Sequence, residues 1–185
     1  VMAKSPLVID LDRIPEGEPL ALSFDDALPE FVSVLRSAAE GQGTCVSGRA
    51  DLELESWPGR IDVTGGLQAD LDATCARCLV QFSLKVDRKI VHILVSTLEG
   101  PDGDEEIELH SNDLDRSLIT GTTVDLGAVL REELLLGMPM KATCTDSCKG
   151  ICGGCGAELN TEPCICEPET DERWSALAAL KTDEN

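Results

Sequence analysis

The chemistry available to this chain is thiol chemistry. Six of its nine cysteines, Cys144, Cys148, Cys152, Cys155, Cys164 and Cys166, crowd together near the C-terminus. Two more stand far upstream in Cys75-Ala76-Arg77-Cys78, and Cys45 is alone. Thiols that recur at such short intervals are either oxidised in pairs or grip a metal. Nothing at the N-terminus resembles the apolar core of a signal peptide, so the expected location is the cytoplasm. There structural disulfides are disfavoured, and metal binding becomes the favoured reading.

Zinc wants four tetrahedral ligands, and a Cys-x-x-Cys turn offers two from one chain reversal. Cys152-Gly153-Gly154-Cys155-Gly156 has that form, with glycines that let backbone amides approach the sulfurs. Cys164-Ile165-Cys166 follows behind Pro163. These four ligands lie close enough to close one small site without help from the rest of the fold. Parity then leaves Cys144 and Cys148 to join Cys75 and Cys78. Such a site would tie the middle of the chain to its tail, as a disulfide would, but in a reducing cell. A single site drawing on all six C-terminal cysteines is disfavoured, because zinc rarely takes more than four protein ligands. Iron–sulfur clusters remain open, since sets of four cysteines suit iron too. Cys45 reads as a small buried hydrophobe. His92 and His110 are each isolated and read as structural or solvated.

No Gly-x-Ser-x-Gly, His-Glu-x-x-His or phosphate loop occurs. A four-thiolate shell has no open position for hydrolysis. The reading is therefore that the chain is not an enzyme. Its 35 acidic against 15 basic residues give a formal charge of −20. Such a surface repels phosphate, and with aromatics at 3% and no tyrosine, base-stacking platforms are scarce. Little direct nucleic-acid binding is expected. The charge suits a basic protein partner or simple solubility. No apolar run is long enough to span a membrane.

The elements that must position the thiols can be read in outline. The expected class is α+β: a curved antiparallel β-meander with a few short helices and a Cys-rich, zinc-binding C-terminal segment. Leu7-Val8-Ile9 could start a sheet, and apolar spacing predicts a helix within Asp25–Ala39. Residues 44–98 alternate as three long strands, with a tight turn at Trp57-Pro58-Gly59-Arg60. Gly65-Gly66 suggests a bulge or bend, and the apolar phase slips after Asp87-Arg88-Lys89-Ile90, as a second bulge would cause. Residues 99–112 form an acidic run that reads as a mobile loop. Asp125 can cap a helix through Leu136, which Gly137-Met138-Pro139 ends. A last short helix is expected from Thr170 or Asp171 to Leu180, with Trp174 facing inward. The domain division expected is residues 1–140 for the α+β domain and 141–185 for the Cys-rich tail with its closing helix.

Several of these segments together resemble the bacterial YceD family, which is named for accumulation of the large ribosomal subunit RNA. They are Cys75-Ala76-Arg77-Cys78-Leu79, then Val124-Asp125-Leu126 through Arg131 to Met140, and Cys144. Cys148-Lys149-Gly150-Ile151-Cys152-Gly153-Gly154-Cys155-Gly156, Leu159-Asn160, Cys164-Ile165-Cys166 and Asp171-Glu172-Arg173-Trp174 follow. The likeness covers residues 70–180 well and the N-terminal third loosely. Departures are small: Ile151 for the usual Leu, and Gly153 and Glu172 where Pro is common. None removes a ligand. The resemblance implies a part in 23S ribosomal RNA accumulation and assembly of the large subunit. It implies a basic ribosomal protein or pre-50S particle as partner, and no known reaction. It further implies that the site of Cys75, Cys78, Cys144 and Cys148 is the core one, since some relatives lack the last four cysteines. An alternative function is a zinc- or redox-responsive regulator that uses the cysteine clusters as its sensor.

Overall fold

The computed structural model describes residues 5–96, 116–119, 121–166 and 173. The acidic run at 99–112, His110 and the expected closing helix with Trp174 lie outside the described residues. The first strand, β1 (Val8–Asp10), is followed by a 3-10 turn at Leu11–Arg13 and by β2 (Leu20–Phe24). Helix α1 (Pro29–Ala39) leads into three long strands, β3 (Gly43–Trp57), β4 (Arg60–Thr74) and β5 (Gln81–Val95). Two short strands, β6 (Arg116–Leu118) and β7 (Thr123–Asp125), precede α2 (Leu126–Gly137).

The five-stranded sheet has the order β2-β3-β4-β5-β6, and β1 pairs separately with β7. All pairings are antiparallel except β5 with β6, which is parallel. The α+β reading therefore holds, with a meander that carries one parallel edge. The β3–β4 connection is the tight turn expected at Pro58-Gly59, where Trp57 faces Arg60.

One face of the sheet is apolar because alternate residues point the same way. Leu52 and Leu54 of β3 pack with Val63, Leu67 and Leu71 of β4 and Ile90 of β5, all at or below 1% exposure. Burying each such leucine is worth roughly 1.5–3 kcal/mol. The helices cover this face: α1 packs on β3 and on α2, and α2 packs on β5 and β4. Phe31, Leu35, Ala38 and Ala39 form the buried stripe of α1.

Helix α1 lies within the stretch where the apolar spacing implies one. The Asp25 carboxylate accepts from the Ala27 amide at 2.9 Å, and Asp26 accepts from the Gly48 amide at 2.8 Å, so both are held in a turn. Pro29 then opens the helix. Helix α2 follows the sequence reading closely. The Asp125 carboxylate accepts from the Ala128 amide at 3.2 Å, and the helix stops at Met138 ahead of Pro139.

Neither expected bulge is where the sequence placed it. The register from β3 to β4 runs unbroken through Gly65 and Gly66, and the irregularity falls between Cys45 and Ser47. Val46 is thereby turned outward, 56% exposed. The register from β4 to β5 is continuous along both strands. The apparent slip at residues 87–90 arises because Arg88 occupies an inward position between Val86 and Ile90. Its guanidinium donates to the Glu133 carboxylate of α2 at 3.1 and 3.3 Å. Glu133 is 8% exposed. The pair places an ionic contact inside the helix–sheet layer, where an apolar residue would have kept the alternation visible. Among the described residues no helix is long and apolar enough to cross a membrane.

Candidate metal centres

The turn between β4 and β5 presents the first two thiols. Cys75 directly follows β4, and the Cys75 amide donates to the Val80 carbonyl at 2.9 Å. The Leu79 amide donates to the Cys75 carbonyl at 3.0 Å, and the Arg77 amide points at Cys75 Sγ at 3.4 Å. The tail repeats this pattern residue for residue. The Cys152 amide donates to the Ala157 carbonyl at 2.8 Å, and the Gly156 amide to the Cys152 carbonyl at 2.9 Å. The Gly154 amide points at Cys152 Sγ at 3.4 Å. Both Cys-x-x-Cys segments are thus the same knuckle, built once on the sheet and once in the tail.

In each knuckle the residue after the second cysteine takes a left-handed backbone: Leu79 at φ 62° and Gly156 at φ 76°. Glycine is at ease there, whereas leucine is strained by about 1–2 kcal/mol. The Leu79 side chain is largely exposed, so little packing offsets the strain. Leu79→Gly is expected to melt no lower than the parent. Leu79→Val, whose branch at Cβ tolerates this region poorly, is expected to lose about 1–2 kcal/mol relative to it. Thermal melts of the two variants check the order.

The sulfurs gather into two sets. Those of Cys75, Cys78, Cys144 and Cys148 lie within 4.8 Å of one another, as do those of Cys152, Cys155, Cys164 and Cys166. In the inner set Cys75 and Cys148 are 3.8 Å apart and Cys78 and Cys144 3.6 Å. In the outer set Cys155 and Cys164 are 3.5 Å apart, and Cys164 and Cys152 3.3 Å. Zinc–sulfur bonds of about 2.3 Å in a tetrahedron set the sulfurs roughly 3.8 Å apart, so either set could close on such an ion with small adjustment. A disulfide needs about 2.05 Å, and all nine cysteines are free thiols. The inner set is buried apart from half-buried Cys144, and Phe82 packs against it. In the outer set Cys155 and Cys166 are exposed.

The electrostatics of four bare thiols is uneven. Burial pushes Cys75 up, but the amides of Cys78, Cys144 and Arg77 outweigh it and bring the thiol down to about 6. The Val80 amide lowers Cys78, yet burial and the crowding sulfurs of Cys75, Cys144 and Cys148 push it up to about 12. Cys152 is drawn down to about 6, first by the Cys155 amide and then by Cys164 and the Gly154 amide. Cys166 is pushed up to about 12 by Cys155 and Cys164. Cys148 is lowered too, first by the Asn160 side chain, while Cys144 and Cys164 are raised, so each set mixes thiols that ionise readily with thiols that crowding sulfurs and burial hold protonated. A cation at the centre offsets that crowding, which is why metal binding and thiol deprotonation occur together.

The inner set is also where the tail is fastened to the sheet. The Ala76 amide donates to the Ala142 carbonyl at 2.8 Å, and the Arg77 guanidinium donates to the Cys148 carbonyl at 2.9 Å. The Ile151 amide returns to the Arg77 carbonyl at 3.2 Å. The Asn160 side-chain amide donates to Cys148 Sγ at 3.4 Å. Neither Arg77 nor Asn160 stood out in the sequence beyond its place in a motif. Both act through contacts that only the folded tail creates.

Cys45 lies in the main core at 3% exposure, with its thiol pushed up chiefly by burial. His92 is half-buried on β5 and lines a groove of about 320 Å³ with Leu118, Val129 and Glu132. It belongs to neither sulfur set.

A protein of Mycobacterium tuberculosis (strain ATCC 25618 / H37Rv), described as uncharacterized, is 25% identical over 177 residues, which is 95% of this chain and 82% of that one. An uncharacterized protein of Mycobacterium leprae is 21% identical over 177 residues, 95% of this chain and 78% of that one. The large ribosomal RNA subunit accumulation protein YCED homolog 1, chloroplastic, of Zea mays is 33% identical over 84 residues, 43% of this chain and 27% of that one. No solved structure matches. Residues 63–181, a stretch that begins within β4 and takes in both knuckles and all eight clustered cysteines, match the family described as large ribosomal RNA subunit accumulation protein YceD, and the chain belongs to that family.

Proposed function

We propose that this chain is a non-catalytic factor that supports 23S ribosomal RNA accumulation and large-subunit assembly, with one zinc ion stapling its tail to its sheet and a second closing the tail on itself. The observation that carries the ribosomal part is membership of a family described by accumulation of large-subunit RNA. The metal part is supported by the two sets of four sulfurs. Cys75, Cys78, Cys144 and Cys148 would hold one ion, and Cys152, Cys155, Cys164 and Cys166 the other. Zinc in such a shell supplies a rigid cross-link and keeps no position open for substrate. The described residues around it, Arg77 and Asn160 among them, hold backbone and tail in place.

The formal charge of −20 favours a basic ribosomal protein, or a precursor particle displaying one, over bare RNA as the contact. Cells depleted of the chain are expected to show a reduced ratio of 23S to 16S RNA. The wild-type chain should restore it, and a chain with Cys75→Ser should not. A purified chain should retain a basic ribosomal protein and release it steeply as salt rises. An unchanged RNA ratio on depletion sinks the assembly role. A regulatory reading draws support from the exposure of Cys155 and Cys166, which leaves the outer set open to oxidants. Metal retained through a mild peroxide pulse counts against it.

A further inference from the structure

Asn160 sits between the outer cysteines in sequence but touches the inner set in space. Its side-chain oxygen accepts from the Lys149 amide at 2.8 Å, which fixes the amide plane and leaves the nitrogen facing Cys148 Sγ at 3.4 Å. The backbone that carries Asn160 is held by the outer module. The Leu159 amide donates to the Gly150 carbonyl at 2.9 Å, and Ile151 bridges to Glu158. The amides of Thr161 and Glu162 both donate to the Glu158 carbonyl. The same short hairpin carries Cys152 and Cys155, whose sulfurs gather with those of Cys164 and Cys166 just beyond Asn160.

Resting on the metal reading above, we infer that Asn160 is a positioning residue that couples the two centres: filling the outer site seats the Asn160 amide against Cys148 and so sets how firmly the inner site holds its ion. The direction follows from the contact. An N–H aimed at a coordinating sulfur stabilises the thiolate and orients it. Partners of this kind change metal affinity by about 10–100-fold when removed. An empty outer site frees the hairpin that carries Asn160, and the inner sulfur loses its donor.

The test uses the full chain loaded with cadmium, which gives one resonance per site by 113Cd NMR, with release measured against a chelator. Asn160→Asp keeps the acceptor for the Lys149 amide and replaces the donor with a negative charge. It is expected to shift the inner resonance and to speed release from the inner site about 10-fold, with the outer resonance in place. Cys155→Ser combined with Cys164→Ser empties the outer site and identifies the inner resonance. It should speed inner release by a similar factor. Adding Asn160→Asp to that pair should then do little more, because the same contact has already been lost. A chain that holds two ions, and whose inner resonance and release ignore either change, overturns the coupling and leaves the metal reading standing. A chain that takes up no cadmium overturns both.

Discussion

Cys75→Ser is expected to cost the protein about one metal ion per chain and to lower its thermal midpoint by roughly 8–16 °C. Cys75 is the most enclosed of the eight clustered thiols, at 0% exposure, so serine has no solvent to turn to. Its sulfur faces Cys148 across 73 residues of chain. A cross-link spanning that distance restricts the unfolded chain by about 4 kcal/mol when treated as a disulfide would be. For a domain of this size each kcal/mol moves the midpoint by about 2–4 °C. The loss falls on the junction itself, where the Ala76, Arg77 and Ile151 hydrogen bonds join turn to tail. Cys155→Ser should also cost an ion, yet it should move the main transition much less. Its set closes on a short stretch of exposed chain and anchors no strand. Elemental analysis and calorimetry on both variants make the comparison. Equal melting of the two would falsify the picture of an inner staple and an outer clasp.

The grouping of the thiols was legible because it is local. Two Cys-x-x-Cys turns announce themselves by spacing, and the structure groups the eight sulfurs into the two sets of four that parity and locality pointed to. The long hairpin and the capped α2 were legible for a similar reason, since alternation, Pro58-Gly59 and Asp125 act within a few residues of themselves. What escaped depends on partners far along the chain. Arg88 breaks the apolar alternation of β5, and alone it reads as a slip; only Glu133, 45 residues on, explains it as an inward ion pair. The parallel edge strand β6 is three residues long and has no alternation to read. Strand β2 does alternate, through Leu20, Leu22 and Phe24, but is short and set between a turn and a proline-led helix. Asn160 carries no signal in its own neighbourhood, because its partner belongs to the other sulfur set. Glycines misled in a particular way. Gly65-Gly66 looked like a place where a strand bends, and Gly65 is instead a place where the facing strand leaves no room for a side chain.

That lack of room gives the second large effect, with Gly65→Ala expected to destabilise the sheet by roughly 3–5 kcal/mol. A Cβ on Gly65 would lie 2.1 Å from the Asp51 carbonyl oxygen, 2.9 Å from Leu52 Cα and 3.0 Å from the Asp51 carbonyl carbon. All three obstacles are backbone, so no side chain can swing aside. The φ of 150° adds strain for any residue with a Cβ. Relief requires β3 and β4 to part where Leu52 faces Gly65, between the buried pairs Leu54–Val63 and Ala50–Leu67. Those are central rungs of the sheet, and opening them lets water into the core. Gly66→Ala is the control, because its Cβ would meet nothing nearer than the Arg88 carbonyl oxygen at 3.7 Å. It should be nearly neutral or slightly stabilising, since alanine gives up less chain freedom on folding. Neither change touches a thiol, so below its melting transition each variant should carry the parent's metal content. A Gly65→Ala chain that melts with the parent would mean that the rung between Leu52 and Gly65 is misplaced, and with it the register that brings Cys75 to the end of β4.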